Sequence, residues 1–171
     1  MRTIKFRGKV RQTIKEIHLG KEPDDGTWVV GDYHYLNTGS PHIHFNLTSR
    51  ISVDPDTVGE FTGLLDKSGK EIYEGDILHV IEWENLIAWD KDWNDDPDRF
   101  NLFSLDEIKG EKRKEYTSPV LWDEGGFCLG SSPGDKDVPL CCLFGDMKRS
   151  APIFEFEIIG NIYDNPNLLK L

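Results

Sequence analysis

Apolar and polar residues alternate with a period of two in short runs along this chain, the period of strands with one buried face. Ile153 to Ile159 is the plainest case, with Phe154, Phe156 and Ile158 set against Glu155 and Glu157. Thr3 to Arg7 places Ile4 and Phe6 on one side, and His42 to Leu47 does the same with Ile43, Phe45 and Leu47. Gly26 to Leu36 carries Trp28-Val29-Val30 and Tyr33-His34-Tyr35 on either side of Gly31-Asp32. Turn chemistry separates these runs at Lys21 to Gly26, Asn37 to Pro41 and Asp54-Pro55-Asp56. A hairpin is predicted where Pro119 to Trp122 and Phe127 to Leu129 flank Asp123-Glu124-Gly125-Gly126. Helical signals are few: the spacing of Trp83, Leu86, Ile87 and Asp90, a capping-box form at Ser104 to Glu107, and Asn165 capping Pro166. The pattern predicts a mainly β chain, a small antiparallel β-barrel or sandwich with little helix.

Residues 59 to 78, GEFTGLLDKSGKEIYEGDIL, read as two strands and the opening of a third. Phe61, Leu64, Ile72 and Tyr73 flank Asp66-Lys67-Ser68-Gly69-Lys70, and Gly69 supplies the positive φ that a tight connection requires. Glu74-Gly75-Asp76 then marks a sharp bend before Ile77 to Ile81. This segment resembles the signature of the YopX-like proteins, a family of bacteriophages and prophages. Met1 to Val10 is similar to the family's opening strand. Phe154 to Leu171 is similar to its closing strand, with Gly160-Asn161-Ile162-Tyr163 and the Asn165-Pro166 step. The resemblance implies a mostly β fold and a phage or prophage origin. The family carries no assigned activity, so the resemblance transfers no functional residue, and residues 84 to 116 match no family pattern.

A chain of 171 residues with 37% hydrophobic content is long enough to bury one good core or two smaller ones. It reads as one domain over residues 1–171, divisible into two all-β lobes, 1–58 and 59–171, the second carrying the 84–116 insertion. The join would lie near Asp54 to Val58. Twenty Lys and Arg against 31 Asp and Glu give a net charge of -11, which disfavours nucleic acid and anionic lipid as partners. A host or phage protein is the expected partner, and short edge strands make self-association feasible. No apolar run is long enough to span a bilayer as a helix, and the N-terminus lacks a secretory signal pattern, so a cytoplasmic location is expected. Cys128, Cys141 and Cys142 lack zinc-site spacing and fit a reducing compartment.

Candidate chemistry is sparse. His42 and His44 share one face of a strand and would begin a metal site if His34 or a carboxylate approached, although an exposed strand face explains them equally well. Asp90 to Asp96 has alternating oxygen ligands, but Asp95 stands where a calcium loop needs glycine and Asn101 where it needs glutamate. No nucleotide-binding or hydrolase motif is present, so no catalytic residue and no cofactor is expected. Trp83, Trp89 and Trp93 among Asp92, Asp95 and Asp96 form the candidate binding surface, aromatic for anchoring and acidic for a basic partner. The leading expectation is a non-enzymatic protein-binding module. The alternatives are a nucleic-acid-binding small barrel and a metal-dependent enzyme.

Overall fold

A computed structural model of the chain describes residues 4–11, 24–35, 41–44, 50–85, 109–123, 125–130, 138–139 and 153–169. The chain divides into two compact units, residues 1–65 with 71–75, and residues 66–70 with 76–171. Asp54 to Val58 lies within the first unit. Each unit is built on one antiparallel sheet, and among the described residues the helical content is two 3₁₀ turns, Pro55–Thr57 and Pro166–Leu169.

The first sheet comprises β1 (Phe6–Lys9), β2 (Trp28–Tyr35), β3 (Pro41–His44), β4 (Arg50–Ser52), β5 (Gly59–Leu65) and β6 (Glu71–Tyr73). Their order is β4-β3-β2-β1-β5-β6. β2 runs unbroken through Gly31-Asp32, because Gly31 pairs with Phe6 and Asp32 with His44. Beyond the ends of β1 and β4 the chain pairs again: Val10 bridges Val53, Asp54 N–H donates to the Lys9 carbonyl at 2.8 Å, and Arg11 N–H to that of Ser52 at 3.0 Å. Strands three places apart in one sheet meet in this way when the sheet curls, so β1 to β4 form a half-barrel.

Alternation decides what the curl encloses. Val10, Val29, Ile43, Ile51 and Val53 form a buried cluster, with Phe6 and Val58 packed against it. Gly8 belongs to the same side, since a Cβ there would lie 3.0 Å from Val53 Cβ and 3.3 Å from Ile43 Cδ1. Tyr33, paired with Ile43 and with its ring centre 5.2 Å from that of Phe6, lies on the cluster's side too, and the positions that alternate with these face away.

The second sheet comprises β7 (Asp76–Asn85), β8 (Lys109–Asp123), β9 (Gly126–Leu129), β10 (Val138–Pro139) and β11 (Ile153–Asn161), in the order β10-β9-β8-β7-β11. Ile77, Leu78, Val80, Val120, Leu129 and Phe156 are buried in this unit. Trp122 pairs with Phe127 and Asp123 with Gly126, with Gly125 at φ 86°, so the predicted hairpin forms as expected. Pro166–Leu169 is the expected terminal turn, in which Leu168 N–H donates to the Asn165 carbonyl. Of the four residues with helical spacing, only Trp83 is among the described residues. Trp83 lies in β7, paired with Lys112 and Ile153, because neighbours on both sides supply ladder hydrogen bonds that an isolated helical turn lacks. Ser104 to Glu107 and Leu86 to Asp90 lie outside the described residues.

The turn Asp66 to Lys70 belongs to the second unit. Asp66 Oδ1 accepts from Ser68 N–H at 2.8 Å, Ser68 Oγ at 2.7 Å and Lys70 N–H at 2.9 Å. Its Oδ2 accepts from Ile158 N–H at 3.3 Å, and Lys67 N–H donates to the Phe156 carbonyl at 2.8 Å. Two backbone groups on the outer side of β11, an edge strand, thereby receive partners, which is one way sheets limit unwanted pairing.

Candidate functional site

The side of the first sheet turned away from its apolar cluster holds a row of cations. Along β1 the sequence Lys5-Phe6-Arg7-Gly8-Lys9-Val10 alternates strictly, so core-facing Phe6, Gly8 and Val10 leave Lys5, Arg7 and Lys9 on the opposite side. Lys5 Nζ sits 4.9 Å from the centre of the Phe61 ring. The Arg7 guanidinium lies between Trp28 at 4.8 Å and Tyr73 at 5.0 Å, and Lys9 Nζ is 5.6 Å from Trp28. Phe61 and Tyr73 face each other across β5 and β6 with ring centres 5.5 Å apart, and are 8% and 4% exposed.

These rings hold the cations by their quadrupoles. Arg7 is fixed further because its Nη2 donates to the Glu74 carbonyl at 3.2 Å. Lys5 pairs with Glu71, whose other oxygen accepts from Tyr73 Oη at 2.7 Å. The Lys5 bond, then the Tyr73 bond, hold the Glu71 carboxyl below the ordinary glutamate range. At the end of β1, Lys9 N–H donates to Thr57 Oγ1 at 2.9 Å, and that hydroxyl donates to the Asp54 carbonyl at 2.8 Å. The Pro55–Thr57 turn, capped by Asp54 on Asp56 N–H, therefore fixes where the row ends.

The register carries the row onto neighbouring strands. Arg7 pairs with Val30 and Lys9 with Trp28, and Asp32, His34, His44, His42, Arg50 and Ser52 follow on the same side by cross-strand pairing. Val30 is 42% exposed, and Asp32, His34 and Arg50 are exposed as well. His42 and His44 do share a face, and His34 joins them: it pairs directly with His42, and its ring lies 4.7 Å from that of His44. His42 is buried, at 4% exposure. Among the described residues, no group of three or more His, Cys, Asp or Glu side chains is placed to hold a metal ion.

Glu74 lies at the rim of this arrangement. Burial pushes its carboxyl up and the Glu60 charge adds to that rise, against a hydrogen bond from Glu60 N–H. Gly59 is required here because a Cβ would lie 2.5 Å from the Glu74 carbonyl oxygen. The close approach of β5 to the Glu74-Gly75 bend, with Gly75 at φ 81°, thus depends on glycine at two signature positions.

Of the residues expected to form a binding surface, Trp83 is half-buried in β7 of the second unit. Trp89, Asp92, Trp93, Asp95 and Asp96 lie outside the described residues. Lys5, Arg7, Lys9 and Trp28 were absent from the sequence-based candidates. Their signal was the strict alternation of cation and apolar residue through Lys5 to Val10, which reading Ile4 and Phe6 alone passes over.

The family model for YopX protein matches residues 28–170, which takes in β2 to β11 and leaves the opening segment, Met1 to Val10, outside the match. No curated protein matches the chain.

Proposed function

Because this chain belongs to the YopX family, we propose that it is a phage or prophage accessory protein acting in the cytoplasm by non-covalent binding, with the cationic side of its first sheet as the contact surface. The observation that carries this reading is the row Lys5, Arg7 and Lys9, each cation seated on an aromatic ring. Such a row is unexpected in a chain of net charge -11. Charge is unevenly divided: residues 1–65 and 71–75 hold eight Lys and Arg against ten Asp and Glu, and the remainder hold twelve against twenty-one. A cationic surface on the less acidic unit suits selection of an anionic partner, since complementary potentials set both encounter rate and discrimination. The acidic, tryptophan-rich stretch from Trp83 to Asp98 is a second contact region under the same reading, suited to a basic partner.

Retention on a sulfonate cation-exchange resin at neutral pH and low salt tests the surface. The protein is expected to be retained despite its net charge, and Lys9→Glu combined with Arg50→Glu is expected to abolish retention while leaving the β-type circular dichroism unchanged. Flow-through of the wild type, or equal retention of the folded variant, would contradict the reading. Genes for replication, lysis or anti-defence proteins beside this one would support the phage setting, and a neighbourhood of housekeeping genes would argue against it.

A further inference from the structure

We infer that the outer edge of β11 is a pairing site for the β11 of a second copy of this chain, held shut by the turn Asp66 to Lys70. β11 lies at the end of the second sheet, with β7 on one side. Bonds from the turn show which of its residues direct backbone groups outward. The Phe156 carbonyl accepts from Lys67 N–H at 2.8 Å, and Ile158 N–H donates to Asp66 Oδ2 at 3.3 Å. Backbone direction alternates along a strand, so Phe154, Phe156 and Ile158 turn their N–H and C=O groups away from β7. Ile153 to Ile159 contains neither Pro nor Gly and is rich in aromatic and β-branched residues, the composition an unprotected edge must not present.

The strand is matched to its own copy. Antiparallel pairing about a two-fold axis at Phe156 overlaps all of Ile153 to Ile159, setting Phe156 against its counterpart and Phe154 against Ile158 of the second copy. All three share the face of Val80 and Leu78, with which Phe156 and Ile158 pair and which are buried, so the new pairing extends an apolar layer. On the opposite face the same register sets Glu155 against Glu157 of the second copy, once on each side of the axis. Like charges directly opposite are destabilising.

Two devices therefore keep the edge closed: this opposition of acids, and the turn. The turn occupies the Phe156 carbonyl and the Ile158 N–H, and Lys67 Nζ pairs with Glu157 at 2.6 Å. That ion pair is at the surface and contributes little, so the two bonds to the β11 backbone carry most of the closure.

Gel filtration with light scattering on the full chain tests this. Glu157→Lys removes the tether to Lys67 and converts both acid oppositions into Glu–Lys pairs, so it is expected to double the mass of the wild type. Adding Glu155→Lys restores like charges across the seam and is expected to return the mass to that of the wild type. Lys67→Pro reports independently, since proline suits the second position of a turn that Gly69 N–H closes onto the Asp66 carbonyl, while it deletes the N–H bonded to Phe156. This variant is expected to associate in high salt, where the acid repulsion is screened, and to keep the wild-type mass in low salt. A Glu157→Lys protein with β-type circular dichroism and the wild-type mass would overturn the inference. So would a double variant that associates as fully as Glu157→Lys, or a folded Lys67→Pro indistinguishable from the wild type in high salt.

Discussion

Asp66 is buried, at 8% exposure, and its carboxylate is satisfied by hydrogen bonds from Ser68, Lys70 and Ile158. Burial alone would raise its pKa, but the bonds outweigh burial and hold it below the ordinary 3.8. A folded value below the unfolded one contributes stability that is fully present above the unfolded pKa and is lost as pH falls through the folded value. Asp66→Ala is expected to cost about 1–3 kcal/mol at neutral pH by leaving backbone donors unpaired. Urea unfolding at several pH values should show that difference shrinking below about pH 4. Glu74 runs the other way, since its raised value means the stability of the neutral form is lost as pH rises through the folded pKa. Glu74→Gln, which keeps an acceptor for Glu60 N–H, is expected to melt higher than the wild type at neutral pH, with the gap closing in acid. A lower melting temperature at neutral pH would contradict that assignment.

At the scale of elements, two glycines decide how the first unit closes. Gly59→Ala places a Cβ against the Glu74 backbone and is expected to destabilise by about 1–3 kcal/mol, as overpacking does, measured by thermal unfolding. Ile72→Ala empties a fully buried position and is expected to cost about 2–5 kcal/mol. Strand positions were legible in the sequence where polar and apolar residues alternate cleanly, as in Ile153–Asn161, or where glycine punctuates, as in Gly59–Leu65 and Glu71–Tyr73. Trp28–Tyr35 was harder to read because Gly31-Asp32 looks like a turn, and the pairing that keeps it extended comes from two separate strands. The shared face of His42 and His44 followed from spacing alone, whereas the arrival of His34 beside them depends on register between β2 and β3. The cation row was written in the sequence, but its aromatic seats were not: Trp28, Phe61 and Tyr73 reach β1 through pairings across as many as 66 residues, as in the Lys5–Glu71 contact beside them.

Across the whole molecule, net charge and local charge point in opposite directions. A chain of -11 repels polyanions at long range, while the first sheet presents Lys5, Arg7, Lys9 and Arg50 on one side against Asp32 and Glu71. Raising salt should therefore weaken contact at the cationic side while relieving the general repulsion. Among the described residues no helix is long and apolar enough to cross a membrane. The most direct measurement is amide shift mapping by NMR during titration with a soluble sulfonated polymer, the counterpart of the resin. The account predicts that perturbations centre on Lys5, Arg7, Lys9, Trp28 and Val30; perturbations centred instead on the second unit, with these five amides unmoved, would contradict it.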